Sequence, residues 1–434
     1  SDGHDAESAY SAFLKSSWGA FTLTGAINRR DKDIPTAPFD TVFNDDHTST
    51  EDKRAYLDLR YSDTLPAEWN LDARIYYDYY RYEGTYPYDV AAPGDPAELV
   101  IFRDYAYGNW AGAELQAGRQ FGDHRLIAGG EFRDNFRQDQ GAYDENPYAL
   151  YLKDRRDSRY WAAFVQDEFH LRPNLILSLG LRHDDYDTFG GTTNPRLAVI
   201  YQPTEQTTLK LLYGQAFRAP NNFELYYDDG GVSQKANPDL DPERIKTYEA
   251  VLEQYLVADL RAVLAGFYYE IDDLIDTVVD PADDLLHYQN VADVKAWGGE
   301  SELEAKLESG FGGRLSYSYQ RTEDRETGKT LPNSPKHLFK ANLTAPLWGE
   351  RLSLNLEEQY TGPRKTLARR EAGGFALTNL TLFGNKLAPG LDVTASVFNL
   401  FDKDYGDPGG EEHDPVDIIG QDGRTFRLKL TYAF

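Results

Sequence analysis

The sequence predicts an all-β fold: a transmembrane antiparallel β-barrel, with about nineteen strands in this chain. Three observations carry that prediction. Apolar and polar residues alternate over stretch after stretch, the connections alternate between short and long, and aromatic residues gather beside the short ones.

The alternation is plain in TFRLKLTYAF at 425–434. A strand turns successive side chains to opposite faces, so Phe426, Leu428, Leu430, Tyr432 and Phe434 share one face. Arg427, Lys429 and Thr431 share the other. LDARIYYDYY at 71–80 sets Leu71, Ala73, Ile75 and Tyr77 against Asp72, Arg74, Tyr76 and Asp78. LILSLGLR at 175–182 and LSLNLE at 352–357 repeat the pattern with leucines on one face. No comparable stretch holds a helical period over about 11 residues. Strands of roughly 8 to 14 residues are expected, which suits tilted spans through a hydrocarbon layer.

The short connections include Gly19-Ala20, Gly122-Asp123, RPN at 172–174, PTEQ at 203–206, GFGG at 310–313 and LAPG at 387–390. Long polar segments are expected between them, at 29–53, 82–100, 134–157, 217–244, 270–293 and 400–423. An outer-membrane barrel separates its connections this way, with tight periplasmic turns and long outer loops. Trp18, Phe21, Trp69, Phe121, Phe169, Trp348, Phe383 and Phe434 lie beside the short turns and are expected to form an interfacial girdle.

Composition agrees. No run of apolar residues is long enough for a transmembrane helix, a stretch that needs about 18. At 434 residues a soluble chain would need a linker between domains, and none is visible. The absence of cysteine excludes a disulfide framework and a thiolate metal site. A formal net charge of −27 makes nucleic acid an unsuitable partner, because its phosphates would be repelled. Lipid, with the lipopolysaccharide of a Gram-negative outer membrane, is the expected surrounding.

Parity sharpens the picture. The first ladder, 9–18, runs into a short turn, whereas the last follows a long loop and ends at the short-turn side. The count is therefore odd, whereas bacterial single-chain barrels have even counts. With no methionine anywhere in the chain, the expectation is that further strands, an odd number of them, precede Ser1.

YGQAFRAPNNFELYY at 213–227, followed by NPDLDPERIKTYE at 237–249, resembles the paired boxes of TonB-dependent outer-membrane receptors. NLFDKDY at 399–405, before a last strand ending in phenylalanine, resembles their C-terminal signature, and FVQDEF at 164–169 is also similar. The resemblance covers essentially the whole chain. It implies a 22-stranded barrel around a plugged lumen, of which residues 1–434 would be the C-terminal part of one barrel domain. About three strands and an N-terminal plug would then precede them. It also implies import of a scarce, bulky nutrient, with TonB pulling on the plug from below. A ferric siderophore is the first expectation, and cobalamin or haem come after it. A plugless passive pore or scaffold is the alternative.

Haem is placed lower because haem receptors of this family carry an iron-binding histidine between the boxes. NNFELYYDDGGVSQKA at 221–236 has none, although Tyr226 or Tyr227 could ligate ferric iron as a phenolate. The candidate ligand residues are Arg218, Asn221, Asn222, Tyr226 and Tyr227 in the loop after FRAP, with His287 and Tyr288 in LLHYQN. Arginine and tyrosine are frequent binding anchors. His4, His47 and His413 are expected in outer loops, His124 and His170 beside inner turns.

Acidic runs at 44–52, 280–284 and 407–417 suit calcium, whose ligands are oxygens, or divalent cations bridging to lipopolysaccharide. Solvated loop surface is the plainer reading. DKDYG at 402–406 lacks the full calcium-loop pattern. No GxSxG, HExxH, P-loop or dinucleotide fingerprint is present, so no catalytic residue, resident metal or enzyme activity is expected.

Overall fold

Residues that alternate apolar and polar can each satisfy a backbone ladder and still give one face to lipid. In the computed structural model, which describes residues 4–410, 413 and 416–433, they do so as one antiparallel sheet of nineteen strands. It opens with β1 (Glu7–Trp18), β2 (Phe21–Asp33), β3 (Ser49–Leu65) and β4 (Trp69–Asp89). Next come β5 (Leu99–Phe121), β6 (His124–Asp144), β7 (Ala149–Arg172) and β8 (Leu175–Tyr186). β9 (Gly190–Thr204), β10 (Thr207–Arg218), β11 (Glu243–Val257), β12 (Leu260–Val279) and β13 (Leu286–Lys306) follow. The remaining strands are Gly312–Asp324, His337–Trp348, Leu352–Thr361, Phe375–Ala388, Leu391–Phe398 and Thr425–Tyr432.

Each strand bonds to its neighbours in sequence. β1 bonds only to β2, and Thr425–Tyr432 only to Leu391–Phe398, so among the described residues the first and last strands are the two edges. Glu7 lies at the long-loop end, and Tyr432, opposite Leu391, at the short-turn end. Ser1 and Phe434, whose sides the sequence also assigned, lie outside the described residues.

The two faces separate as the alternation predicted. Asp72, Arg74, Tyr76 and Asp78 of β4 line an inner cavity of about 780 Å³ together with Arg60, Glu114, Glu131 and Arg182. Ile75 and Tyr77, between them, stand exposed on the outer wall. Leu428 is in register with Ala395, Leu382 and Leu354, an apolar outward row, and Lys429 with Thr394 and Phe383. Cross-strand partners share a face, so Phe383 belongs with Lys429 on the inner side. The girdle expected to contain Phe383 does not, because its neighbour Leu382 holds the outward position. Trp18 stacks on Phe21 and Trp69 meets Phe121 edge to face, both pairs beside short turns.

Strand lengths depart from expectation. β4, β5, β6, β7, β12 and β13 each run to 20 residues or more. The segments 82–100, 134–157 and 270–293, read as loops from their polarity, are mostly ladder. Above the hydrocarbon layer a strand needs only its backbone bonds, and both faces are free to be polar. The connection between β6 and β7 is only residues 145–148.

A cluster of buried apolar side chains lies at the outer end, while Ala162, midway along β7, is buried within the wall. Leu225, Leu240 and Ile275 form one apolar cluster with Tyr226 and Tyr288 packed against it. No helix among the described residues is long and apolar enough to cross a membrane.

Candidate functional site

The outer mouth is closed on one side by residues 219–242, the segment that joins β10 to β11. A single helical turn, Asn222–Tyr226, is its fixed point. Asn221 caps that turn: its Oδ1 accepts from the Glu224 N–H at 2.9 Å, and its own N–H donates to Glu224 Oε2 at 2.8 Å. This is a reciprocal capping box.

Arg218 ties the two sequence boxes together. It donates to Glu224 at 2.8 Å and, through two bonds of 2.7 Å, to Glu243 at the start of β11. Burial works against ionisation of Glu243, but the bonds from Arg218 and from the Ile275 N–H outweigh it and hold the carboxyl below its usual range. The guanidinium is raised in turn, chiefly by Glu243.

The rest of the loop is anchored as firmly. Asp229 accepts backbone bonds from Val232, Ser233 and Gln234. The chain then lies along β13, with the Leu286 N–H donating to Ser233 and the Lys235 N–H donating to Leu286. Lys235 Nζ is held by Asp280 at 2.5 Å and Asp283 at 2.8 Å, which raises its pKa and lowers both of theirs. Two carboxylates of the 280–284 run therefore pair with a lysine. A second acidic group, Asp45, Asp46 and His47, converges within 4.8 Å on an outer loop.

Between this loop and the tops of β6, β7 and β8 lies a cavity of about 410 Å³. Tyr226 stands in it with the Arg156 guanidinium 3.5 Å from the ring centroid. Asn135, Gln138, Ser158 and Tyr186 complete its polar wall, and Asn135 donates to Ser158 at 2.9 Å. The volume falls within the range of small-molecule sites, roughly 300–1,000 Å³.

The structure thus divides the seven sequence candidates. Tyr226, Asn221 and Asn222 line the cavity, with Asn221 also spent on the cap. Arg218 is a brace. Tyr227 packs on Phe223 with ring centroids 4.4 Å apart, and burial pushes its hydroxyl well above the usual range. His287 is buried, its Nε2 against the Gln289 amide, and Tyr288 packs behind the helical turn. Sequence reasoning missed Arg156, Asn135, Gln138, Ser158 and Tyr186. The first four sit at the tops of β6 and β7 (134–157) or just beyond, where polarity had suggested a loop.

A second buried group lies under the same loop. Tyr82 and Tyr86 share a hydroxyl–hydroxyl bond of 2.5 Å beside Asp104, one of whose oxygens has no hydrogen-bond partner. A Cβ at Gly84 would fall 2.2 Å from that oxygen and 2.8 Å from the Tyr82 hydroxyl, so only glycine fits there. Burial pushes the Asp104 carboxyl up to about 7.

A barrel with an apolar outer band, a charged lumen and a braced loop over its outer mouth defines an outer-membrane receptor-type barrel. The family model for the β-barrel of TonB-dependent receptors matches residues 2–400, and the chain belongs to that family, in the outer membrane of Gram-negative bacteria. An iron-regulated outer membrane virulence protein of Vibrio cholerae is 28% identical over 304 residues, covering 63% of this chain and 44% of that protein. The ferric enterobactin receptor PirA of Pseudomonas aeruginosa is 25% identical over 311 residues, covering 63% of this chain and 41% of PirA. The chain thus matches less than half the length of these relatives. Among solved structures, the copper transporter OprC superposes with a TM-score of 0.78 at 18% identity, covering 95% of this chain and 69% of that one. At that identity the likeness is one of fold.

Proposed function

We propose that the chain is the C-terminal part of the barrel of a receptor for energised import of a scarce, bulky nutrient, and that its cargo is a ferric siderophore. The observation that carries this reading is the outer cavity where Tyr226 lies under Arg156 beside further polar groups. An arginine over an aromatic ring offers charge and a flat apolar surface together, which suits an anionic chelate with aromatic or amide groups. The receptors for iron chelates among the relatives support the same class. A haem cargo fits less well, because the loop at 221–236 supplies no histidine.

The two unpaired edges bear on the rest. In hydrocarbon each bare N–H or C=O costs several kcal/mol, so β1 and Thr425–Tyr432 need partners. On this reading about three further strands close the wall, a plug fills the charged lumen, and TonB acts through it. Binding to the full-length receptor tests the cargo, read by quenching of intrinsic fluorescence. A ferric catecholate should saturate at about micromolar concentration or below, with cyanocobalamin and haem far weaker. Tighter binding of either of those two would overturn the assignment.

A further inference from the structure

The inward face of β7 carries Arg156, Ser158, Tyr160, Ala162 and Phe164 in alternate positions. Arg156 borders the outer cavity, and Phe164, the first residue of FVQDEF, borders the inner cavity of about 780 Å³. The strand between them spans about 26 Å, at roughly 3.3 Å per residue.

Tyr160 stands midway and joins the two cavities. Its ring stacks on Tyr186, which lines the outer cavity, with centroids 4.5 Å apart and an interplanar angle of 13°. Its hydroxyl donates to Glu131, which lines the inner cavity, at 2.6 Å.

An arginine meets an aromatic ring at every level of this wall. At the mouth Arg156 lies 3.5 Å from the centroid of Tyr226. Midway, Arg133 lies 4.5 Å from that of Trp110 and 6.0 Å from that of Tyr160. At the inner cavity Arg74 lies 4.5 Å from Tyr76, and Arg182 6.0 Å from Phe164. The Phe164 ring rests on bare backbone, because a Cβ on its register partner Gly129 would come within 2.6 Å of Phe164 Cζ.

The carboxylates around these arginines increase with depth. Arg133 forms no ion pair among the described residues, and its Nε donates to Asn135 at 2.7 Å. Arg156 meets one carboxylate, Asp154, at 2.7 Å. Arg182 meets two, Asp184 at 2.8 Å and Glu131 at 2.9 Å. Arg74 also meets two, Asp58 and Glu114.

We propose that this inner face is a track along which an anionic, aromatic chelate passes from the outer cavity into the lumen; the track rests on the cargo reading above. Each level repeats the ring and guanidinium that hold the chelate at the mouth. The added carboxylates loosen the hold on an anion as it descends. Passage needs sites favourable enough to enter and weak enough to leave, and this gradient supplies both.

Binding and uptake of a radio-iron-labelled ferric tris-catecholate test the track, measured separately in cells carrying the full-length receptor at equal abundance. Tyr160→Leu and Phe164→Leu should each slow uptake at saturating chelate by about ten-fold. Their binding constants should be unchanged, because neither side chain lines the outer cavity. Tyr160→Phe keeps the ring and should import at the unmodified rate, which separates the ring from the hydrogen bond to Glu131. Uptake by both leucine variants at the unmodified rate would overturn the track alone, as would slow uptake by Tyr160→Phe. Failure of the unmodified receptor to bind the chelate would overturn the cargo reading and the track with it.

Discussion

Arg218 grips Glu243 through two hydrogen bonds of 2.7 Å, and with its remaining nitrogen it holds Glu224. One side chain thus joins the first box to the second across the 24 intervening residues of the loop. Both carboxylates are nearly buried, at 13% and 10% side-chain exposure, while Arg218 is 43% exposed.

Removing the brace should loosen the loop and spare the barrel. Arg218→Ala leaves two carboxylates without their partner, at a cost of about 1–3 kcal/mol once solvent screening of the exposed guanidinium is allowed for. Hydrogen exchange at 219–242 should quicken by about ten-fold or more, with the spans of β3 to β5 unchanged. Equal exchange in the two proteins would show that the boxes hold together without Arg218.

Tyr226 and Tyr227 should separate in effect. Tyr226→Ala removes the ring beneath Arg156 and should weaken cargo binding by about ten-fold, with the loop loosened where that ring packs on the apolar cluster and the barrel strands unchanged. Tyr227→Ala removes a half-buried ring packed on Phe223 and should cost about 1 kcal/mol of local stability. If Tyr227→Ala alone weakened binding, with stability intact, the cavity would be misassigned.

The face assignment can be tested on the last strand. Leu430→Arg places a charge in hydrocarbon and should cost about 2–4 kcal/mol near the midplane, whereas Lys429→Arg keeps a cation in the lumen and should cost little. Folding titrations in lipid vesicles report both. Equal costs would reverse the inward and outward faces.

The outer wall should respond to pH through Asp104. Burial raises its carboxyl to about 7 from an ordinary value of about 4. A folded value above the unfolded one means that stability is greatest below the unfolded pKa and is lost as pH rises through the window up to about 7. Protection of the Tyr82, Tyr86 and Tyr227 amides, taken relative to the base-catalysed intrinsic exchange rate at each pH, should therefore be greater at pH 5 than at pH 8. Asp104→Asn should flatten that difference, and a difference that survives in Asp104→Asn would assign it elsewhere.

The strand faces were legible because lipid and lumen impose opposite chemistry on a period of two: Ile75 and Arg74 could be assigned by inspection. Loop extents were not. Polar side chains at 134–157 are compatible with a loop or with a ladder standing in water, and only the pairing of β6 with β7 decides. That ambiguity hid Arg156 and Ser158, the wall of the cavity. Tyr226 was visible as an aromatic at a box, but the roles of Arg218 and Asn221 as brace and cap depend on carboxylates that meet them only in the fold. Phe383 shows the converse limit, since an aromatic beside a short turn can face the lumen when its neighbour is also apolar.

Growth of a host lacking its own siderophore and cobalamin receptors, carrying the full-length protein, bears most directly on the central claim. Each iron or cobalamin source is supplied singly, with TonB present or deleted. Rescue by a ferric siderophore that disappears when TonB is deleted is the predicted result. Growth on any of these nutrients that persists without TonB would contradict it, because a passive pore needs no energy from the inner membrane.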